Sequence, residues 1–240
     1  MININTSVTV AQVATVSQLM VKIYQKQKEA LDDTKLDGYF DFVDRTAGEL
    51  IIAIKRMTIS LSMDEADTRR DLTVRNFFTM LEGASVSLSE EEAGAAAKVL
   101  ACAERYGRKM ISEKLFEESA HIESLLKDLA TSEMKAALAK IHMGPEYAEK
   151  LAKDEADFKA IQVEKNTVNV EQGNEKSATA IKKELREFIN GTLIAYINAM
   201  CTIKGEEYKA LADELDKEVR KANDSAKKQA TGTVKIQLNE

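Results

Sequence analysis

The stretch TKLDGYFDFVDRTAGELIIAIKRMTISL, residues 34–61, decides how this chain folds. Within it Leu36, Phe40, Val43, Ala47, Leu50, Ile54, Met57 and Leu61 recur at steps of four and three. That spacing keeps one face of an α-helix apolar for more than three heptads. Such a face buries against other helices at shallow crossing angles of about 20°. Thr34 and Asp37 stand at the spacing of an N-cap and its third helical residue, which sets the expected start.

Working outward, Ser62 and Glu65 have capping-box spacing and predict a new helix. Its inner face would carry Leu72, Val74, Phe77, Phe78 and Leu81, and it would end near Gly83–Ser87. Ser89 and Glu92 repeat the signal ahead of Val99, Ala103, Tyr106 and Met110, with a break at Gly107. Ile122, Leu125, Leu126 and Leu129 mark a shorter helix, which Met134, Leu138 and Ile141 extend or follow. Gly144-Pro145 punctuates the chain, and proline suits a first helical position. Leu151, Phe158 and Ile161 define the next helix, and the polar run Asn166 to Asn174 a turn. A long helix carries Ile181, Leu185, Phe188, Ile189, Leu193, Tyr196, Met200 and Ile203. After Gly205 a last helix carries Tyr208, Leu211, Leu215 and Val219. Ile2 and Ile4, and then Val234, Ile236 and Leu238, alternate with polar residues, a pattern of short β-like termini.

The 240 residues contain one proline, ten glycines and no tryptophan. Proline and glycine are the residues that interrupt helices most strongly, so their scarcity agrees with the periodicity. The expected fold is all-α, an antiparallel bundle of about six to eight helices. Its halves would be residues 1–143 and 144–240, two similar subdomains or one continuous domain. Arg69-Arg70-Asp71-Leu72 and Lys182-Lys183-Glu184-Leu185 hint at an internal repeat.

Thirty-four basic and forty acidic residues give a net charge of −6, mixed along the chain. No basic stripe is available to follow a phosphate backbone, which argues against a nucleic-acid partner. Phe188 to Ile203 is the longest uncharged run, but it contains Asn190, Gly191, Thr192 and Asn198. It falls short of the roughly 20 apolar residues that span a bilayer, so a buried bundle helix is expected and a membrane is not. Met1 to Tyr24 lacks the basic start of an export signal, and a cytoplasmic location is expected.

Residue types that carry chemistry are scarce. Cys102 and Cys201 suit buried small hydrophobes, and a disulfide would require them to be adjacent in space. Glu118-Ser-Ala-His121 has the Glu-x-x-His spacing that places two metal ligands on one helix face. The other histidine, His142, follows Ala139 instead of a glutamate, so no second copy exists and no metal site is expected. Glu118 and His121 remain the only candidates for one. Glu90-Glu91-Glu92 suits a helix N-terminus. Arg45, Arg56, Arg69, Arg70 and Arg75 lie among Asp64, Glu65, Asp67 and Asp71, the composition of an ion-paired, solvated face. With neither a nucleophile elbow nor a glycine-rich phosphate loop, no catalytic residue and no cofactor are assigned.

Three stretches carry a resemblance: Asp67-Thr-Arg-Arg-Asp71, Ala103-Glu-Arg-Tyr-Gly-Arg-Lys109, and Glu117-Glu-Ser-Ala-His-Ile-Glu-Ser-Leu-Leu-Lys-Asp-Leu129. Together they resemble an uncharacterised, mostly helical family of Bacteroidetes proteins known only as a domain of unknown function. The resemblance implies an intracellular helical bundle and carries over no site residue. The expected function is that of a non-enzymatic helical interaction or scaffold protein, with a protein partner or a second copy of itself. One alternative is a membrane-active protein that stores residues 188–203 in its bundle. Another is a small-ligand or metal-binding bundle.

Overall fold

The stripe at residues 34–61 belongs to a longer helix than its spacing implies. In the computed structural model α2 runs without interruption over Thr34–Ser85, 52 residues. The structure describes residues 1–170 and 176–237, with side chains to residue 168 and from 176 to 228. Helix α1 (Val10–Leu31) precedes it. After it come α3 (Glu90–Glu104), a 3-10 turn (Arg108–Ser112), α4 (Leu115–Leu129), α5 (Ser132–Leu138) and α6 (Gly144–Val170). Helix α7 (Ala178–Phe188), a π turn (Ile189–Leu193) and α8 (Ile194–Lys204) form one continuous rod, and α9 spans Glu206–Gln237. The fold is all-α.

The chain divides into two units, Met1–Met57 with Gln172–Glu240, and Thr58–Glu171. Gly144-Pro145, the expected divide, lies inside the second unit and opens α6. Ser62 and Glu65 cap nothing, because the backbone stays helical through them. Met57 and Leu61 continue the first unit's spacing but are 48% and 58% exposed, and Leu72 is 55% exposed. The second unit instead buries Ile59, Met63, Ala66, Val74, Phe77 and Leu81.

In unit 1 the core joins α1, the first part of α2, α7, α8 and α9. Tyr24 stacks on Phe40 at 4.1 Å, and Val43, Leu50, Leu185, Ile197, Leu211 and Leu215 are fully buried around them. Helix α1 starts in a capping box, with Thr9 and Gln12 exchanging side-chain and main-chain bonds. Asp33, one residue ahead of the expected cap, starts α2. Its Oδ1 accepts from the Lys35 and Leu36 amides, and its Oδ2 from the Tyr196 and Tyr208 hydroxyls at 2.7 and 2.6 Å. Ile189, Leu193, Ile194 and Ile197, from the longest uncharged run, are core residues. No helix among the described residues is long and apolar enough to cross a membrane.

The expected β-like termini are not strands. Residues 1–5 carry no regular secondary structure and bond to side chains, not to another strand, and Val234 and Ile236 fall within α9. Leu238 lies outside the described residues. The turn expected over Asn166–Asn174 is helical through Val170, and its residues 171–174 also lie outside.

In unit 2 the second part of α2 packs with α3 to α6 around Val74, Phe77, Leu81, Val99, Ile122, Leu125 and Leu151. Gly107, at φ +75°, turns the chain after α3 as its position predicts. At Gly144 a Cβ would stand 2.5 Å from the Leu138 carbonyl oxygen, so only glycine fits where α6 begins. Ser89 caps α3 as expected, accepting from the Glu92 amide. The Glu92 carboxylate turns outward instead, to the Ser87 hydroxyl at 2.7 Å and the His142 amide at 2.9 Å. Both cysteines are free, Cys102 buried in unit 2 and Cys201 half-buried in unit 1.

Candidate functional site

Arg70 occupies an inner position of α2, between Ala66 and Val74 on the buried stripe, and its side chain is fully buried. Helix geometry makes this unavoidable, since residues four apart share a face. A guanidinium cannot shed its charge, so the surroundings must neutralise it. They do so with three helices. From α2 itself, Asp67 Oδ1 accepts from one terminal nitrogen at 2.8 Å. From α4, Glu118 Oε2 stands 2.7 Å from that nitrogen, while Ser119 Oγ accepts from the other at 2.9 Å. From α6, Glu155 Oε2 accepts at 3.1 Å, and the Phe158 ring lies under the guanidinium at 3.8 Å. One turn along, the Thr73 hydroxyl donates to Asp154 Oδ2 at 2.7 Å, and Asp154 also pairs with Lys150.

Negative charge exceeds what Arg70 offsets. Asp71 Oδ1 and Glu118 Oε1 are buried without a hydrogen-bond partner. One ligand atom from each of Asp67, Asp71 and Glu118 lies within 4.8 Å of the others. Burial lifts the Glu118 carboxyl to about 8; Arg70 opposes the rise, and Asp71 and Asp67 add to it. Burial also raises Glu155 and Asp67, against the pull of Arg70. For Asp154 burial acts upward too, but bonds from Lys150 and Thr73 hold it below the usual carboxylate range.

The two residues singled out by the Glu-x-x-His spacing part company. Glu118 is 2% exposed and joins the cluster, whereas His121 turns its Nδ1 to Glu113 Oε2 at 2.8 Å. Among the arginines read as an ion-paired face, Arg45 and Arg75 are exposed and fit that reading, paired with Glu49 and Asp71. Arg70 does not fit it. The signal was present, because steps of 3 and 4 from Met63 through Ala66 to Val74 and Phe77 place residue 70 on the core stripe.

What the arrangement can do follows from its atoms. Carboxylate oxygens without nitrogen or sulfur ligands suit a hard cation, held at about 2.1–2.6 Å from each oxygen. Oxygens on opposite sides of such an ion are about 4–5 Å apart, the scale of the Asp67–Asp71–Glu118 group. Without a cation, a proton shared between Asp71 and Glu118 satisfies the same two oxygens.

No curated protein and no solved structure matches the chain. A family profile described as a family of unknown function (DUF6261) matches residues 60–216, which include every residue of the Arg70 cluster. The match takes in well over half of the sequence, and the chain therefore belongs to this family of unknown function, DUF6261.

Proposed function

We propose that this chain is a non-enzymatic helical binding protein whose second unit holds a hard divalent cation on Asp67, Asp71 and Glu118. The observation that carries the reading is that Asp71 and Glu118 each hold a buried, unpartnered oxygen and that one ligand atom from each of Asp67, Asp71 and Glu118 lies within 4.8 Å of the others. Leaving such atoms unmatched costs about 1–3 kcal/mol each, and more when they are charged, so the site favours a ligand that satisfies both. Arg70 then locks α2, α4 and α6 around the ion. Mg²⁺, Mn²⁺ and Ca²⁺ are the cations of this chemistry. The free thiols support a reducing compartment, in keeping with the cytoplasm. Burial of Ile189, Leu193, Ile194 and Ile197 speaks against the membrane-active reading.

Calorimetric titration of chelator-treated protein with MgCl₂, MnCl₂ and CaCl₂ tests the proposal. One of the three is expected to bind at a single site and raise the unfolding midpoint by mass action. Asp71→Asn is expected to remove that binding while keeping the helical content. No heat and no midpoint shift with any of the three cations, or binding unchanged in Asp71→Asn, would overturn it.

A further inference from the structure

Each acid of the proposed cation site turns one oxygen to an arginine. Asp67 Oδ1 accepts from a terminal nitrogen of Arg70 at 2.8 Å, and Glu118 Oε2 stands 2.7 Å from the same nitrogen. Asp71 Oδ2 faces the exposed Arg75 at 3.8 Å. On Asp71 and Glu118 the other oxygen, Oδ1 and Oε1, is buried and unpartnered. Arg70 is itself fixed. Its second terminal nitrogen donates to Ser119 Oγ at 2.9 Å and to Glu155 Oε2 at 3.1 Å, and its guanidinium carbon stands over the Phe158 ring at 3.8 Å. Arg70 cannot swing aside without giving up these contacts.

This arrangement limits how a cation is ligated. A guanidinium in hydrogen-bond contact puts positive charge where the second metal bond of a bidentate carboxylate would form. Asp67, Asp71 and Glu118 therefore offer one oxygen each. The main chain offers none nearby, because these side chains stand within α2 and α4, whose carbonyls are closed by helix hydrogen bonds. The remaining coordination positions fall to water, which reaches the site past Asp67 and Asp71, whose side chains are 33% and 20% exposed.

Calcium takes about six to eight oxygens, commonly with a bidentate carboxylate and main-chain carbonyls among them. Neither is on offer here. Magnesium takes about six in octahedral geometry and keeps several of its waters. Manganese suits the same set of carboxylate and water. We infer that the site selects a small six-coordinate cation, Mg²⁺ or Mn²⁺, over Ca²⁺, and that Arg70 sets this selectivity by holding Asp67 and Glu118 to one ligand oxygen each. The inference rests on the cation reading above and adds to it which ion is chosen and by what device. Arg70 touches no ion. It is a positioning residue, and its signature is a ratio of affinities, not affinity itself.

The test uses the full chain, stripped with a chelator and loaded with MnCl₂, with free Mn²⁺ read from its electron paramagnetic resonance signal. MgCl₂ should displace half of the bound Mn²⁺ at a concentration about tenfold below that required of CaCl₂. Pulsed resonance in isotopically labelled water should count about three waters on the bound Mn²⁺. Arg70→Met alone strands buried carboxylates, so the informative variant is Arg70→Met with Glu155→Met, which replaces the ion pair by apolar residues. Asp67 and Glu118 can then bind through both oxygens, and the preference over Ca²⁺ should shrink to about threefold or less. Arg70→Lys keeps the charge without the planar fork, should move the ratio the same way, and decides the matter if the double variant does not fold. Calcium displacing Mn²⁺ as readily as magnesium does, or at most one water on the bound ion, would overturn the inference and leave the cation reading standing. An unchanged ratio in the folded variants would overturn the part assigned to Arg70. No Mn²⁺ binding at all is a separate failure, which takes down the cation reading and this inference with it.

Discussion

Unit 1 buries neutral amides, and unit 2 buries charges. Asn223 at 4% exposure and Arg70 at 0% hold equivalent places, each a polar residue on an otherwise apolar helix stripe. The Asn223 amide meets the main chain of Asn3 and Asn5, whose donors and acceptors match it one for one, so nothing is left over. The guanidinium meets more carboxylates than it can neutralise, and oxygens of Asp71, Glu118 and Glu155 and its own Nε are left without hydrogen-bond partners. Buried polar groups that match completely act as structure. Those that match incompletely leave a place for something mobile, either a proton or an ion.

The contrast breaks most readily at Arg70. Arg70→Met strips the counter-charge from Asp67 and Glu155 and leaves Glu118 and Ser119 without their donor, and the expected loss is about 3–5 kcal/mol of unfolding free energy near neutral pH. Denaturant titration reads it directly, and the loss should shrink at lower pH as the stranded carboxyls take up protons. If Arg70→Met costs no more than Asn223→Ala, the distinction between the two units fails.

Asn223→Ala comes next. It removes two hydrogen bonds and leaves the Asn5 amide and the Asn3 carbonyl unpartnered, for an expected loss of about 1–3 kcal/mol. Hydrogen exchange should quicken at the amides of residues 4 and 5, while unit 2 keeps its protection. Quickening in both units alike would mean that the clamp and the charged cluster are not separate.

The pH dependence is the sharpest effect in sign. Glu118 titrates at 4.5 when unperturbed and at about 8 in the fold, so the folded chain retains a proton that the unfolded chain has released. Its contribution to stability is therefore fully present below 4.5 and lost as pH rises through about 8. Unfolding midpoints at about pH 5, 7 and 9 should fall in that order, and Glu118→Gln should flatten the trend. A saturating divalent cation should flatten it as well, since it binds the deprotonated carboxylate.

Most of the architecture was legible from spacing, because an apolar stripe must be covered. The positions of α3, α4 and α9 follow from Val99, Ile122 and Leu211 in this way. Helix boundaries were less legible. Ser62 and Glu65 have the chemistry of a cap but act as one only if the backbone departs from the helix at Ser62, which it does not. Helix α1 was hidden because Gln12, Thr15 and Gln18 dilute its stripe, although Thr9 and Gln12 carried a capping signal. Of the site, Glu118 was visible through its spacing from His121, but its real partners, Arg70, Asp67 and Asp71, stand on α2. Pairing between helices distant in sequence leaves no local signature.

The wide turn at Ile189–Leu193 bears on how kindred sequences are aligned. A π turn is an insertion that makes no loop. A relation one residue shorter across this stretch would keep an unbroken helix, yet everything beyond the deletion would rotate by about 100° about the axis. Either the amide that grips Ile4 or the apolar face after it would then point elsewhere. A one-residue gap inside an apparently regular helix is thus a marker, readable from sequence alone, of chains in which the Asn190 side chain no longer meets the Ile4 main chain.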